Sequence, residues 1–271
     1  NYITIILKVL LCNNYIKMKF SVITVTLNSE RTIRDTLNSV FSQTYKNIEH
    51  IIIDGGSNDD TLSILKSKKN QFSALISEPD NGIYDAMNKG LKIATGDIIG
   101  FLNSDDFYAS DDVISRVASV FHNDPSLDAC YADLIYTDKI DTSKIIRYWK
   151  SSEFLPGSFS KGWCPPHPTF FARSSVYDRF GKFNLSYNIS SDRELMMRFL
   201  EVHKINVCYV PELWVKMRMG GLSNNSLKNI FKQNLEDLHA LKKHNLSKNI
   251  LIYLIYKILS SFKKFFYRSS N

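Results

Sequence analysis

The feature that most constrains this chain is the segment of residues 96–106, in which an apolar run ends in two adjacent carboxylates. The run IIGFL is continuously apolar, which is typical of a strand buried on both faces of a parallel sheet. Ligands of α/β proteins bind outside the carboxyl ends of such strands. Asn103 and Ser104 supply turn residues after the strand, and the turn brings Asp105 and Asp106 toward one ligand.

The acid pair Asp105 and Asp106 predicts a metal site. Divalent cations such as Mg²⁺ prefer carboxylate oxygens, and they usually take one or two carboxylates together with substrate phosphates. We therefore interpret the pair as the ligands of Mn²⁺ or Mg²⁺ bound to a diphosphate. An alternative is that the two acids only begin the next loop and cap the helix expected near Asp111. The pair by itself does not decide between these interpretations.

The first half of the chain alternates predicted strands with helices. Strands are predicted at residues 21–27, 49–53, 74–77 and 98–102. Apolar residues at helical spacing lie between them. This order requires a mostly parallel central sheet flanked by helices, so the strand ends at Asn28, Asp54 and Asp105 converge on one edge. No G-x-G-x-x-G loop is present, which argues against a dinucleotide-binding fold.

The second half of the chain contains a stiff proline-rich loop, GWCPPHP, with Trp163 and His167. Trp163 either stacks on a ligand ring or fills the core, and His167 either lines a ligand pocket or has no role. The other predicted elements are a helix at residues 113–121, strands at 129–136, 144–149 and 169–173, a helix beginning at Asp192, a strand at 206–210 and a helix at 226–244.

The basic character of the chain is concentrated in its C-terminal tail. Residues 216–271 contain 11 Lys or Arg and two acidic residues, whereas the preceding residues contain 23 basic and 25 acidic ones. An acidic partner should therefore meet this tail. The apolar run at residues 250–256 is shorter than the ~20 residues that span a bilayer, so we expect an interfacial helix on anionic lipid. The alternative is a helix docked on the preceding domain or on a dimer partner.

Residues 1–17 precede Met18, which stands directly before the first predicted strand. We expect Met18 to be the native start and residues 1–17 to be an upstream or non-native extension. A signal peptide is the alternative, but a basic n-region and an A-x-A-like cleavage site are missing. The cysteines lack C-x-x-C spacing, which indicates reduced thiols in a cytosolic protein rather than a zinc site or a disulfide framework. They are Cys12, Cys130, Cys164 and Cys208.

Five motifs in a fixed order connect this chain to a known family. They are VITVTLN, IIIDGGSNDDT, NGIYDAMNKGLKIATGDIIGFLNSDD, PHPTFF and SSDRELMMRF, and they lie within residues 19–223. In these motifs the chain resembles the family-two inverting glycosyltransferases, which have the GT-A fold, and in particular the bacterial enzymes of surface-polysaccharide biosynthesis. The resemblance implies a GT-A catalytic domain at residues 18–222, followed by a helical, basic and amphipathic tail at residues 223–271.

The resemblance assigns roles to three acids in the strand-end loops. Asp54 matches the acid that contacts the nucleotide base, usually uracil. Asp105 and Asp106 match the D-x-D-type motif that binds ribose and the divalent metal on the diphosphate. Asn103 stands where many members of the family have a first Asp, so the resemblance leaves open which of the two carboxylates is the main metal ligand.

The resemblance also makes Asp192 the general base, although Ser191 replaces the Glu that often precedes it. The sequence alone favours an N-cap role for Asp192, and both roles can coexist. Asp80 and Asp85 flank a helix start, where they favour its dipole, and the resemblance places them near the nucleotide sugar. The predicted nucleotide-sugar-binding residues are Asn28, Asp54, Asp80, Asp85, Asn103, Ser104, Asp105 and His167; the predicted metal ligands are Asp105 and Asp106, and the predicted catalytic residue is Asp192.

The resemblance implies an enzyme that moves one sugar from a nucleotide-diphospho-sugar, with a UDP-sugar favoured, to a hydroxyl of a glycan or lipid-linked acceptor. The transfer is expected to invert the sugar and to be assisted by the metal. We expect a cytoplasmic protein, or one peripheral on the inner face of the plasma membrane through its tail, with no nucleic-acid partner. Processive synthesis is not expected because Q-x-x-R-W is absent.

Two alternative functions remain open at this point. A sugar-nucleotide pyrophosphorylase-like enzyme should have a glycine-rich, basic loop after the first strand, where this chain has NSER. A non-catalytic polysaccharide-assembly subunit would tolerate the loss of Asp54, Asp105 or Asp192, and all three are present.

Overall fold

The computed structural model describes residues 18–220, residues 227–246 and Tyr253. The predicted extension at residues 1–17 lies outside these residues, as do Cys12 and nearly all of the tail after residue 246. The strands are β1 (Phe20–Thr26), β2 (Ile48–Asp54), β3 (Ala74–Ser77), β4 (Ile98–Phe101), β5 (Phe107–Tyr108), β6 (Ala129–Thr137), β7 (Ile145–Trp149), β8 (Phe171–Arg173) and β9 (Val207–Arg218).

Seven α-helices are present among the described residues. They are α1 (Ile33–Phe41), α2 (Thr61–Ser67), α3 (Ile83–Ile93), α4 (Val113–Asn123), α5 (Ser174–Phe180), α6 (Ser191–Met197) and α7 (Leu227–Lys243). Short 3₁₀ turns lie at Lys69–Gln71, Phe159–Lys161 and His167–Thr169, and a π-helical turn at Arg198–Val202 continues α6. The strands and helices of the first half therefore alternate as the sequence predicted.

All nine described strands join one mixed sheet, in the order β3-β2-β1-β4-β8-β6-β9-β5, with β7 paired to β6. The first four strands in this order are parallel, and β6 is parallel to β9. The strand β8 enters antiparallel between β4 and β6. The prediction of a mostly parallel central sheet flanked by helices is confirmed, and the antiparallel insertion of β8 is the feature that the strand and helix pattern did not contain.

The central strand β4 is buried along its whole length. A Cβ atom at Gly100 would lie 2.3 Å from a ring carbon of Phe171, on the neighbouring strand β8. That distance is far shorter than a van der Waals contact, so only glycine allows the Phe171 ring to lie across β4. The run IIGFL thus forms the buried strand that its composition indicated.

Two predicted strands differ from the structure by more than one residue at an end, whereas the other predicted strands agree to within one residue. The strand predicted at 169–173 begins only at Phe171, because Pro166 and Pro168 lack the N–H donors that a ladder needs and a 3₁₀ turn forms instead. The strand predicted at 206–210 continues to Arg218. Its pairing with β6 shifts register around Pro211, so the proline lies in an irregularity that the ladder tolerates.

The helix α7 lies against α6. His244 Nε2 is 2.7 Å from Glu194 Oε1, and Asp237 Oδ1 is 3.0 Å from Arg193 Nε. Tyr253 is buried, and its hydroxyl donates to Asp237 Oδ2 at 2.9 Å. These contacts agree with the alternative in which this part of the tail docks on the preceding domain. Within the described ranges, no helix is long and apolar enough to cross a membrane.

Candidate active site

The carboxyl ends of β1, β2, β3 and β4 lie at one edge of the sheet because these strands are parallel. Thr26, Asp54 and Ser77 are in register at that edge. The hydroxyl oxygens of Ser29 and Ser104, which follow β1 and β4, lie 2.8 Å apart. The loops after the predicted strand ends are therefore in direct contact.

Asn28 orders the loop that follows β2. Its backbone has a φ of 52°, in the left-handed region that Asn adopts more readily than most residues. Its N–H donates to Ser57 Oγ at 2.8 Å, and its Oδ1 accepts the N–H of Asn58 at 2.9 Å. The predicted nucleotide-sugar residue Asn28 thus holds the loops after β1 and β2 together.

Asp54 is completely buried at the end of β2. Its Oδ2 accepts the hydroxyl of Ser77 at 2.7 Å, and its Oδ1 accepts the hydroxyl of Ser57. The N–H of Ser57 also lies 3.2 Å from Oδ2. A buried carboxylate needs such donors because it has lost its hydration. These donors hold the Asp54 carboxylate in one orientation at the end of β2.

Asp80 and Asp85 lie on either side of the N-terminus of α3. Asp80 Oδ1 accepts the N–H of Gly82 at 2.9 Å, and Asp85 Oδ2 accepts a backbone N–H of the same turn at 3.0 Å. A Cβ atom at Gly55 would lie 2.4 Å from Asp80 Oδ2. Asp80 therefore reaches the loop that follows Asp54, whereas Asp85 is engaged at its own helix start.

The acid pair lies in the turn after β4, with Asp106 fully buried and Asp105 partly buried. Burial raises the pKa of Asp105, and Arg218 and Lys139 oppose that shift. Burial, and after it the charge of Asp105, raise the pKa of Asp106 well above its ordinary value. Two neighbouring buried carboxylates are costly to ionise together, and a bound cation relieves that cost.

Two buried oxygen atoms of this turn have no hydrogen-bond partner among the residues that the structure describes. They are Oδ1 of Asp106 itself and Oδ1 of the nearby Asn103. Buried polar atoms without a partner are rare, and a bound ion is one explanation for them. Across the same residues, no three His, Cys, Asp or Glu side chains form a complete metal-binding group. The pair therefore fits a divalent cation that takes its remaining ligands from substrate phosphates.

Asp192 is the second residue of α6. The helix begins at Ser191 and its N-cap position is Ser190, so Asp192 does not have the N-cap role that the sequence alone favoured. Asp192 Oδ1 lies 2.9 Å from the hydroxyl oxygen of Tyr84, in the first turn of α3. Because α3 follows β3, this contact connects Asp192 to the loops at the sheet edge.

His167 lies between the end of β4 and Asp192. Its ring stacks on that of Phe101, the last residue of β4, with 5.4 Å between the ring centroids. Burial lowers the pKa of His167, although the nearby Asp192 charge opposes this. Its Nε2 is buried and has no partner in the described part of the chain. His167 is thus a neutral ring with one nitrogen that a ligand can use.

Comparison with known proteins identifies the family of this chain. The family described as Glycosyl transferase family 2 matches residues 21–180, which is more than half of the chain. The chain belongs to this family. The matched range contains every predicted site residue except Asp192.

Relatives of this family-two glycosyltransferase include two bacterial enzymes that match most of its length. The PGL/p-HBAD biosynthesis glycosyltransferase of Mycobacterium bovis is 31% identical over 225 residues, which are 80% of this chain and 83% of that protein. The Escherichia coli UDP-Glc:alpha-D-GlcNAc-diphosphoundecaprenol beta-1,3-glucosyltransferase WfaP is 29% identical over 239 residues, which are 83% of this chain and 88% of WfaP.

Solved structures confirm the GT-A fold of this family-two glycosyltransferase. A fragment of S. aureus TarS in complex with UDP-GlcNAc has a TM-score of 0.67 at 18% identity, over 85% of this chain and 68% of the fragment. In a separate comparison with a longer TarS chain, the matched region covers 83% of this chain and 43% of that one. The mannosyltransferase PcManGT from Pyrobaculum calidifontis, in complex with GDP-Man and Mn²⁺, has a TM-score of 0.64 at 16% identity, over 89% of this chain and 69% of that one.

Arg218 is a site residue that the sequence analysis did not predict. It is buried at the end of β9, donates from Nη1 to the carbonyl oxygen of Asp105 at 2.8 Å, and forms an ion pair with Asp35. Its guanidinium therefore fixes the turn that carries the acid pair. The only sequence signal was a basic residue at the end of a strand, and that strand was predicted to stop before Pro211.

Trp163 is partly buried and packs against the hydrophobic core. Its indole N–H donates to Ser152 Oγ at 3.0 Å. Its ring centroid lies 5.4 Å from that of Phe159 and 5.9 Å from that of Tyr131. Among the described cysteines, Cys130 and Cys208 have free thiols.

Proposed function

We propose that this glycosyltransferase moves one hexosyl group from a UDP-sugar to a hydroxyl of a lipid-linked saccharide, with inversion at the anomeric carbon. The observation that carries the proposal is the acid pair of partly buried Asp105 and fully buried Asp106, with an unpartnered Asp106 oxygen, at the sheet edge to which Tyr84 connects Asp192. The pair Asp105 and Asp106 suits a metal-bound diphosphate, and Asp192 suits an acceptor hydroxyl.

In the proposed reaction, Asp192 accepts the proton of the acceptor hydroxyl while that oxygen attacks C1 of the donor sugar. The bond between C1 and the diphosphate oxygen breaks, and the nucleoside diphosphate leaves with the bonding electrons. Attack from the face opposite the leaving group inverts the configuration at C1. A general base in this position typically contributes about 10²–10⁴-fold to the rate.

The donor site is proposed to include the residues at the ends of β1, β2 and β3. Asp54 is proposed to contact the base, and Asp80 lies close enough to Gly55 to line the same loop. A UDP-sugar is favoured because WfaP uses UDP-Glc and the TarS fragment contains UDP-GlcNAc. PcManGT contains GDP-Man, so related folds also accept another nucleotide. The remaining proposed donor contacts are Asn28, Asp85, Asn103, Ser104, Asp105 and His167.

The proposed metal ligands are Asp105 and Asp106. A divalent cation supplies positive charge that stabilises the departing diphosphate. The PcManGT structure is a complex with GDP-Man and Mn²⁺, which supports Mn²⁺ as the first ion to test. Arg218 holds the Asp105 main chain, so the acid pair is already in place before a ligand arrives.

The acceptor is proposed to be lipid-linked because WfaP is named for a diphosphoundecaprenol acceptor. A lipid-linked acceptor requires the enzyme to work at a membrane, and we propose a cytoplasmic enzyme that is peripheral on an anionic inner membrane face. The exposed face of α7 supports this placement, since Phe231 and Leu235 are 65% and 51% exposed and lie beside the exposed Lys228 and Lys232.

A donor screen tests the proposed function. UDP-, GDP- and dTDP-sugars are incubated with the full chain, Mn²⁺ and a GlcNAc-diphospho-lipid, and transfer and donor hydrolysis are measured. We expect turnover with at least one UDP-sugar, dependence on the metal, and a loss of about 10²–10⁴-fold in the Asp192→Asn variant with little change in UDP binding. Absence of turnover with every donor would contradict the proposal.

A further inference from the structure

The hydroxyl of Tyr84 lies between two acceptor oxygens of one segment. It is 2.7 Å from the carbonyl oxygen of Ile189 and 2.9 Å from Asp192 Oδ1. Tyr84 is buried, and burial, followed by the charge of Asp192, raises the pKa of its phenol well above the ordinary value. The phenol therefore keeps its single proton and donates it to one of these two oxygens at a time.

The segment that presents both acceptors is held by the C-terminal helix α7. The carboxylate of Glu236 accepts the backbone N–H groups of Asn188, Ile189 and Ser190 at 3.1, 2.9 and 2.9 Å. These are the three residues directly before α6. Three charge-assisted hydrogen bonds to consecutive N–H groups fix the path of the main chain into that helix.

We infer that Tyr84 is a positioning residue for Asp192, and that Glu236 fixes residues 188–190, which lead into the helix that carries Asp192. This inference rests on the proposed function, in which Asp192 is the base. The contacts join parts of the chain that are far apart, since 108 residues separate Tyr84 from Asp192 and 47 separate Ile189 from Glu236.

The phenol of Tyr84 orients the carboxylate of Asp192. Donation to Oδ1 holds one oxygen of Asp192, which leaves Oδ2 for the acceptor hydroxyl. The Ile189 carbonyl, 2.7 Å from the same phenol oxygen, is the alternative acceptor of its proton.

Other titratable groups near Asp192 lie on three different elements. Arg193 is its neighbour on α6 and pairs with Asp237 of α7. His167 contributes a buried ring from the proline-rich loop, and Glu236 lies close enough to affect Tyr84. A change at Tyr84 leaves all four of these groups in place, so its effect on kcat is separable from theirs.

The decisive experiment compares kcat and the donor KM of Tyr84→Phe with those of the wild type in the full chain. Losing the hydrogen bond that orients Asp192 should lower kcat by about tenfold or more while the donor KM changes little, because only the position of the base is affected. The matched control is Tyr177→Phe, because Tyr177 is also buried but its hydroxyl has no partner among the described residues. The control should keep the wild-type kcat.

The loop contact is tested with Glu236→Ala and Glu236→Gln. We expect kcat of Glu236→Ala to fall by about tenfold or more through misplacement of Asp192, with the donor KM little changed. Gln keeps one acceptor oxygen and should recover part of the loss. Thermal unfolding of each variant is measured so that kcat is expressed per folded molecule.

The outcomes separate this inference from the proposed function. Turnover by the wild type that is lost in Asp192→Asn supports the base, whatever the other variants do. With that result in hand, a wild-type kcat per folded molecule in Tyr84→Phe or in Glu236→Ala would overturn the inference alone. An inactive wild type would overturn the proposed function and the inference with it.

Discussion

Ser77 donates a hydrogen bond of 2.7 Å to Asp54 Oδ2, and this contact joins the ends of β3 and β2 at a completely buried carboxylate. Ser57 donates to the other oxygen. The proposed base-contacting acid is thus held rigidly by the protein before any nucleotide binds. Rigid placement lowers the entropy cost of binding and makes the site intolerant of substitution.

The first prediction concerns Asp54→Asn. In the wild type, serine hydroxyls donate to both oxygens of this carboxylate, and in the variant an amide NH₂ would replace one of these acceptors. The variant should therefore lose about 1–3 kcal/mol of unfolding free energy. It should also bind UDP weakly or not at all. Calorimetric titration with UDP and thermal unfolding measure the two effects. Ser77→Ala removes only one donor and should keep most UDP binding, and wild-type affinity in Asp54→Asn would contradict the assigned role.

The second prediction concerns Gly55→Ala. The added Cβ would lie 2.4 Å from Asp80 Oδ2, so the Asp80 carboxylate must move. We expect the donor KM to rise about tenfold if Asp80 lines the donor site, a change worth about 1.4 kcal/mol. In an Asp80→Ala background the same substitution should have little further effect, because the group it displaces is gone. If Gly55→Ala and Asp80→Ala had independent and additive effects on the donor KM, displacement of Asp80 would not be the cause of the Gly55→Ala effect.

The third prediction concerns Asp106→Asn in metal-free protein. The raised pKa of Asp106 means that its stabilising contribution is complete below the unfolded pKa and is lost as pH rises through the folded value. The variant should therefore be more stable than the wild type at pH 8, by about 1–2 kcal/mol, although it is inactive. Mn²⁺ should raise the melting temperature of the wild type and of the control Asp111→Asn, but not of Asp106→Asn. Equal Mn²⁺ responses would exclude Asp106 as a ligand.

The fourth prediction concerns Glu49, at the opposite end of the sheet. Burial opposes its ionisation, but Lys19, Ser21 and Thr95 outweigh burial and lower its pKa to about 2 from the 4.5 of the free side chain. Its contribution to stability is therefore present above pH 4.5 and is lost as pH falls toward 2.

Glu49→Gln should consequently reduce the free energy of unfolding by about 2 kcal/mol at pH 7, and the difference should shrink as the pH is lowered through this range. Urea unfolding at several pH values measures it. The exposed Glu153→Gln is the matched control and should show no such dependence. A pH-independent difference for Glu49→Gln would show that packing, rather than charge, is responsible.

Much of the parallel half of the fold was predictable because its signals are local. Each apolar run from β1 to β4 is continuous along the chain, and helical spacing separates the runs. Once these elements are known, the rule that βαβ units make parallel sheets places Asn28, Asp54 and Asp105 at the same edge. The motif order then indicated the family, which the match over residues 21–180 confirmed.

The amino-acid sequence by itself determined the strands, their shared edge and the acids that follow them, since hydrophobic period and turn residues act over a few positions. Only the tertiary structure decided which groups surround those acids. The hydroxyl of Tyr84 and the carboxylate of Asp192 are 108 residues apart in the chain, and Arg218 reaches the Asp105 carbonyl across 113. Such contacts arise from the packing of whole elements, and their distance along the chain leaves no periodic pattern from which they could be predicted.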